Sequence, residues 1–173
     1  IEPGAILGLL GPNGSDKTSV IRMQCGLIEV SRGEAWLDGI DVRRLPLALL
    51  RGAIAAVPQE TFLFSATVAE NIAFGRMEAT RAEVEQAAAA VGADGWIAEL
   101  EDGYDTQLGE RGFRLSLGQR QLLAFARALL ADPRILILDE ATSSVDIGTE
   151  RVIERGLHRL LAGRTAFVIA HRL

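Results

Sequence analysis

"AILGLLGPNGSDKTSV", residues 5–20, joins three pieces in a fixed order. The first, Ala5 to Leu10, is a short apolar run with the character of a buried strand. A glycine-rich turn follows. Lys17 and Thr18 then open "KTSVIRMQCGL" (17–27), which reads as a helix stopping near Gly26. A strand, such a turn, and a helix opened by Lys-Thr form a physical recipe for holding phosphates. Successive backbone N–H groups converge on the anion, and the helix N-terminus adds positive potential. Gly11 and Gly14 let the backbone turn tightly. Lys17 is expected to reach the outer phosphates and the Thr18 hydroxyl to ligate Mg²⁺. Asn13, Ser15, Asp16 and Ser19 complete the stretch expected to line them.

Asp16 departs from the recipe, which has glycine directly before the lysine. A side chain stands where the backbone should approach the phosphates, and that side chain is negative. Aspartate also adopts less readily than glycine the backbone conformations such a loop uses. Taken alone, the stretch has a plain alternative: a Gly/Ser-rich turn without a ligand.

The rest of the chain alternates strands with helices. "GEAWLDG" (33–39) alternates between glycines and reads as an outer strand. "AIAAVPQ" (53–59) is an apolar run closed by Pro58. From Gln59 to about Asp132 the pattern is helical. "SATVAENIAFG" (65–75) reads as a short helix ending at Gly75. "TRAEVEQAAAAVG" (80–92) has Thr80 with Glu83 three later, a capping box, and Gly92 as its stop. "SLGQRQLLAFARALLADP" (116–133) sets Leu122, Ala126 and Leu129 on one face, with Arg120 and Arg127 off it. "RILILDE" (134–140) is a buried strand by length and branching. "TERVIERGLHRLLAG" (149–163) is an amphipathic helix, with His158 on its solvated side. "TAFVIAH" (165–171) is a last strand.

Strands alternating with helices predict an α/β fold, a parallel sheet covered on both faces. The expected division is one domain over 1–173, with core segments 1–58 and 133–173 and an inserted helical subdomain over 59–132. Of 173 residues, 49% are hydrophobic and 24% charged, ordinary values for a soluble globular chain. The net charge of -5 gives no broad nucleic-acid footprint, so no nucleic-acid partner is expected. Cys25 is the single cysteine, which excludes an internal disulfide and reads as a small buried hydrophobe. No apolar run approaches the roughly 20 residues of a membrane-spanning helix. The chain opens at Ile1 and closes at "AHRL" directly after a strand-like run, so a piece of something longer is expected.

Three further motifs stand in order: "LSLGQRQ" (115–121), "ILILDEATSSVD" (135–146) and "IAHRL" (169–173). With the phosphate loop, they resemble the nucleotide-binding domain of ATP-binding cassette transporters, through nearly the whole chain. The resemblance implies a P-loop NTPase fold, a mostly parallel sheet with an inserted helical subdomain. It implies ATP and Mg²⁺ as ligands, and ATP hydrolysis to ADP and phosphate.

What it implies residue by residue has a physical reason in each case. Asp139 would end a buried strand where open α/β sheets place their ligands, and hold Mg²⁺. Glu140 would polarise the attacking water as general base. Gln59 matches the glutamine after the second core strand; it would touch Mg²⁺ or water and couple the core to the helical subdomain. His171 matches the switch histidine that contacts the γ-phosphate. Ser116, Gly118 and Gln119 belong to the signature, whose helix N-terminus would face ATP bound to the opposite subunit. That implies a head-to-tail dimer of two cassettes. Leu117 replaces the commoner glycine of the signature. Ser143, Ser144 and Asp146 resemble the segment that passes signals between the two sites.

"TQLGERG" (106–112) and "LFSATVAENIAFG" (63–75) resemble exporter-type cassettes, with Glu110 meeting the transmembrane domain. The expected place is therefore the cytoplasmic face of the membrane, beside a fused or separate transmembrane domain. These stretches disfavour a soluble ATPase of translation or DNA repair. The aromatic residue that stacks on adenine in this family is expected before Ile1. Because of Asp16, the resemblance leaves a second reading, a cassette impaired in nucleotide binding.

Overall fold

A computed structural model describes residues 4–10, 33–34, 36–109, 114–139 and 147–170. The helix expected over 17–27 and the residue Cys25 lie outside them.

Among the described residues four parallel strands form the central sheet: β1 (Ile6–Leu10), β4 (Ile54–Val57), β5 (Ile135–Asp139) and β6 (Thr165–Ala170), in the spatial order β1-β6-β5-β4. The register pairs Leu10 with Ala170, Asp139 with Ile169, and Leu138 with Val57. The period of two then sorts the apolar residues of β5 onto two faces. Leu136 and Leu138 join the main core with Val57 and Ala166, while Ile137 joins Phe167 and Ile169 in a smaller cluster. Apolar residues buried on both faces are what a parallel sheet covered on each side requires.

Between β4 and β5 run α2 (Val68–Ala73), α3 (Arg81–Ala90), α4 (Asp94–Ala98) and α5 (Leu117–Leu130). α1 (Leu47–Gly52) precedes β4, and α6 (Ile147–Leu161) joins β5 to β6. Three helix starts carry reciprocal caps. Thr67 with Glu70, Thr80 with Glu83, and Ser116 with Gln119 each satisfy two orphan donors. The capping box read at Thr80 is present, and the chain leaves α3 through Gly92 at positive φ.

Three expectations need correction. The start of β1 is more exposed than its apolar run predicts: among the described residues the strand pairs only with β6, and Ile6 is 57% exposed. An apolar run identifies a strand without saying whether it lies at an edge. The 33–39 stretch is not one strand but the first arm of a hairpin, β2 (Trp36–Leu37) and β3 (Ile40–Asp41). Its two-residue turn, Asp38-Gly39, has positive φ at both positions, the geometry for which Asp-Gly is suited.

The third correction concerns α5. One apolar stripe does not describe it. Leu122, Leu123, Ala124, Phe125, Ala126 and Ala128 are all buried, because α5 lies between α2, α3 and α6 and under β4. A helix apolar nearly all round is a core helix. Burying Phe125, Leu122 and Leu123 contributes about 1.5–3 kcal/mol each. Arg127, set off the apolar face by its spacing, points into the contact with α2. His158 is exposed, as expected.

Candidate functional site

All four strands of the sheet point the same way, so their carboxyl ends share one edge. That edge is where open α/β sheets bind ligands. Leu10 and Ala170 end two paired strands there, and in sequence they precede 11–19 and His171. Val57 ends β4, two residues before Gln59. Asp139 ends β5, one residue before Glu140. Neighbouring strands lie about 4.8 Å apart, so these ends fall within about 15 Å. Of the residues expected at the site, Gln59, Asp139, Ser116, Gly118 and Gln119 are described. Gly11, Asn13, Gly14, Ser15, Asp16, Lys17, Thr18, Ser19, Glu140 and His171 lie outside the described residues, as do Glu110, Ser143, Ser144 and Asp146.

Asp139 is half-buried and Gln59 exposed. Both offer oxygen donors from adjacent strands, the chemistry Mg²⁺ prefers. Among the described residues no group of three or more His, Cys, Asp or Glu could hold a metal by itself.

The start of α5 is built from its own cap. Ser116 Oγ accepts from the Gln119 N–H at 3.2 Å, and Gln119 Oε1 accepts from the Ser116 N–H at 2.9 Å. An α-helix leaves its first four N–H groups without intrahelical partners. The cap takes those of Ser116 and Gln119. Those of Leu117 and Gly118 have no partner among the described residues and are aligned with the positive end of a helix of 14 residues. The side chains of the motif thus shape the helix end, and its backbone supplies the donors.

Three further residues, which the sequence did not single out as site residues, tie the segment after Gln59 to α5. Asn71 is fully buried. Its Oδ1 accepts from the Phe64 N–H at 2.8 Å, and its Nδ2 donates to the carbonyls of Phe64 and Thr67 at 3.1 and 3.0 Å. Arg127 donates to the carbonyls of Asn71 and Phe62 at 2.9 and 3.1 Å. Its guanidinium also sits over the rings of Phe64 and Phe74, 5.7 and 5.5 Å from their centroids. Burial pulls its pKa below that of a solvated arginine, but a guanidinium has margin enough to stay charged. Gln121, 4% exposed, accepts at Oε1 from the Thr61 hydroxyl at 3.2 Å. Its Nε2 is buried without a hydrogen-bond partner among the described residues, a condition that costs about 1–3 kcal/mol. Each is a polar residue facing a loop, a relation that spacing along one helix does not reveal.

A cleft of about 640 Å³ lies at the other end of the sheet, where Ile54, Ile135 and Thr165 begin their strands. Trp36, Asp38 and Arg134 line it, the last two as an ion pair. It is remote from the carboxyl edge of the sheet, where Asp139 lies.

Residues 1–143 match the family model described as ABC transporter. The chain belongs to the ABC transporter family. An uncharacterised ABC transporter ATP-binding protein of Bacillus subtilis, YknV, is 51% identical over 173 residues, covering 100% of this chain and 29% of its own length. The ATP-dependent lipid A-core flippase of Chromobacterium violaceum is 49% identical, covering 100% of this chain and 30% of its own length. Among solved structures, one described as a bacterial Atm1-family ABC exporter with ATP bound superposes with a TM-score of 0.86 at 39% identity. It covers 98% of this chain and 30% of the other. The chain thus spans under a third of the length of these relatives.

The expected fold holds for this ABC family member: a P-loop NTPase core with a parallel sheet and helices inserted between β4 and β5. No described helix is long and apolar enough to cross a membrane.

Proposed function

We propose that this chain is the ATP-binding and ATP-hydrolysing module that powers a membrane exporter. One observation carries the reading: four parallel strands bring to a single edge the points from which the phosphate loop, Gln59, Asp139-Glu140 and His171 depart in sequence. The relatives named above supply the class of machine. We assign the core to 1–58 and 133–173 and the helical subdomain to 59–132.

Gly11, Asn13, Gly14, Ser15, Lys17, Thr18 and Ser19 bind and orient the triphosphate. Thr18, Gln59 and Asp139 would hold Mg²⁺, which when bound supplies neutralisation of phosphate charge. Glu140 accepts a proton from the attacking water, and His171 fixes the γ-phosphate. Leu117 and Gly118, through the α5 N-terminus, donate to the γ-phosphate held by a second cassette in a head-to-tail dimer. A transmembrane domain, fused or separate, docks this module on the cytoplasmic face of the membrane. Hydrolysis then drives its helices.

Asp16 favours a second reading, a cassette whose nucleotide binding is impaired. Its carboxylate adds negative charge where the phosphates would lie. The test that separates the readings from a ligand-free fold is ATP titration and turnover of the full-length protein, with Asp139→Asn alongside. The expectation is Mg²⁺-dependent hydrolysis that drops at least about a hundredfold in Asp139→Asn, the scale of a group acting in the transition state. Binding without turnover supports the impaired cassette. No binding at all, even in Asp16→Gly, sinks both.

A further inference from the structure

Two residues join the segment that follows Gln59 to the helix that opens at Ser116. Thr61, two positions beyond Gln59, donates its hydroxyl hydrogen to Gln121 Oε1 at 3.2 Å. Gln121 lies two positions beyond Gln119 and about one turn from the start of α5, about 6 Å along the axis. The same amide holds a buried Nε2 that has no partner among the described residues. Stability does not account for that amide. An apolar side chain of similar size would fill the space without burying an unmatched donor.

The two ends of the segment are held differently. From Phe62 to Asn71 the segment is joined to α5 by the forked bonds of Arg127 to the Phe62 and Asn71 carbonyls, and Asn71 binds Phe64 and Thr67 within the segment. Arg127 thus ties both ends of this stretch to α5. Nearer Gln59, the segment reaches α5 through the Thr61–Gln121 bond. A shift of the Gln59 end relative to α5 therefore concentrates between positions 59 and 62. The Thr61–Gln121 bond is among the contacts such a shift alters. There, an amide with one end engaged and one end unmatched stands ready for a second arrangement of the segment.

We propose that Gln121 is a positioning residue, through which the Gln59 segment sets the placement of the α5 N-terminus with Ser116, Leu117 and Gly118. The proposal rests on the ATPase reading above and adds a route by which the two halves of that site register each other. Gln121 touches no reacting atom. Its role is to hold the donors of Leu117 and Gly118 at the distance that the Gln59 segment dictates.

The test uses the full-length protein in the native and Asp16→Gly backgrounds, with Thr61→Val, Thr61→Ser, Gln121→Leu and the Thr61→Val/Gln121→Leu pair. Readouts are ATP affinity, kcat, KM for ATP and Tm. Thr61→Val and Gln121→Leu are expected to lower kcat about tenfold with KM for ATP changed by less than about twofold, the split that marks lost positioning without lost binding. The pair is expected to do no more harm than either single change, and Thr61→Ser to keep full turnover. Gln121→Leu is expected to leave Tm unchanged or higher, because it removes the unmatched donor. Four results overturn the proposal alone while ATP still binds: unchanged kcat in both single variants, additive losses in the pair, a kcat loss that tracks a fall in Tm, or no turnover in either background. Absence of ATP binding in both backgrounds overturns the ATPase reading and this proposal with it.

Discussion

Arg127 Nε donates to the carbonyl oxygen of Asn71 at 2.9 Å, joining α5 to α2 through a cation that has no carboxylate partner among the described residues. Carbonyl oxygens and the faces of Phe64 and Phe74 take the place of a counter-ion. Replacing Arg127 with leucine would strand the carbonyls of Asn71 and Phe62. The expected loss is about 2–4 kcal/mol of unfolding free energy, the scale of charged hydrogen bonds and abandoned acceptors. Arg127→Lys should recover only a fraction, because an ammonium cannot reproduce the planar fork. Urea denaturation of the two variants checks this. A lysine variant as stable as the wild type would show that charge alone suffices.

Gly75 meets the same residue from the other side. A Cβ built there would lie 2.1 Å from the Arg127 carbonyl oxygen, with the Ala131 nitrogen 3.4 Å away. No side chain fits unless α2 and α5 separate. Gly75→Ala should therefore destabilise by about 1–3 kcal/mol, the cost of overpacking an interface. Gly95→Ala is the control, since a Cβ there meets nothing within 4 Å and the residue is helical. That change should be neutral or stabilise by up to about 1 kcal/mol. Equal denaturation midpoints for the two variants would contradict the close approach.

Acid should loosen the helical region through its caps. Backbone hydrogen bonds from Thr67 and Thr80, and then the threonine hydroxyls, hold the carboxyls of Glu70 and Glu83 below the usual value of 4.5. A depressed folded-state pKa means stability that is whole above the unfolded value and lost as pH falls through the folded one. The contribution should be complete above pH 4.5 and decay below it. Glu70→Gln/Glu83→Gln keeps the capping geometry but removes the titration. The stability gap between wild type and this double variant should narrow steadily in denaturation series run into acid. A gap that stays constant across that range would rule out the caps as its source.

How much of this was open to sequence reading depends on the kind of signal. β5 was legible because "ILILD" is apolar, branched and short, and its neighbours forbid continuation. The start of α3 was legible because Thr80 and Glu83 satisfy each other locally, without help from the rest of the chain. The hairpin at Asp38-Gly39 was missed because its arms are two residues each, too short for alternation to reverse visibly. Arg127 was read only as lying off an apolar stripe. Periodicity gives a side chain's angle around α5; it does not say that α2 waits at that angle. The cap of Ser116 and Gln119 was hidden by its own letters, which read first as a nucleotide motif. At the site, the sequence named Gln59 and Asp139, and the parallel register brings their strands side by side. It did not name Thr61 and Gln121, whose meeting is a matter of tertiary packing.

Asp16 lies outside the described residues, and its consequence is argued from charge. Two unit charges 4 Å apart at an effective dielectric near 20 repel by about 4 kcal/mol, equivalent to about a thousandfold in affinity. The positive charges of Lys17 and Mg²⁺ offset some of this. Asp16→Gly is therefore expected to tighten ATP binding at least about thirtyfold in the full-length protein. Asp16→Asn separates the two possible causes. It removes the charge but keeps a side chain of the same size and a similar backbone preference. If repulsion dominates, Asp16→Asn recovers most of the gain, and the advantage over the native protein shrinks as salt rises. If backbone conformation dominates, asparagine binds as weakly as aspartate and glycine alone restores the site. Calorimetric titration of the three proteins with ATP and Mg²⁺, at low and high ionic strength, distinguishes these outcomes. Equal affinities in all three would show a loop that accommodates aspartate, and the impaired-cassette reading would lose its only support.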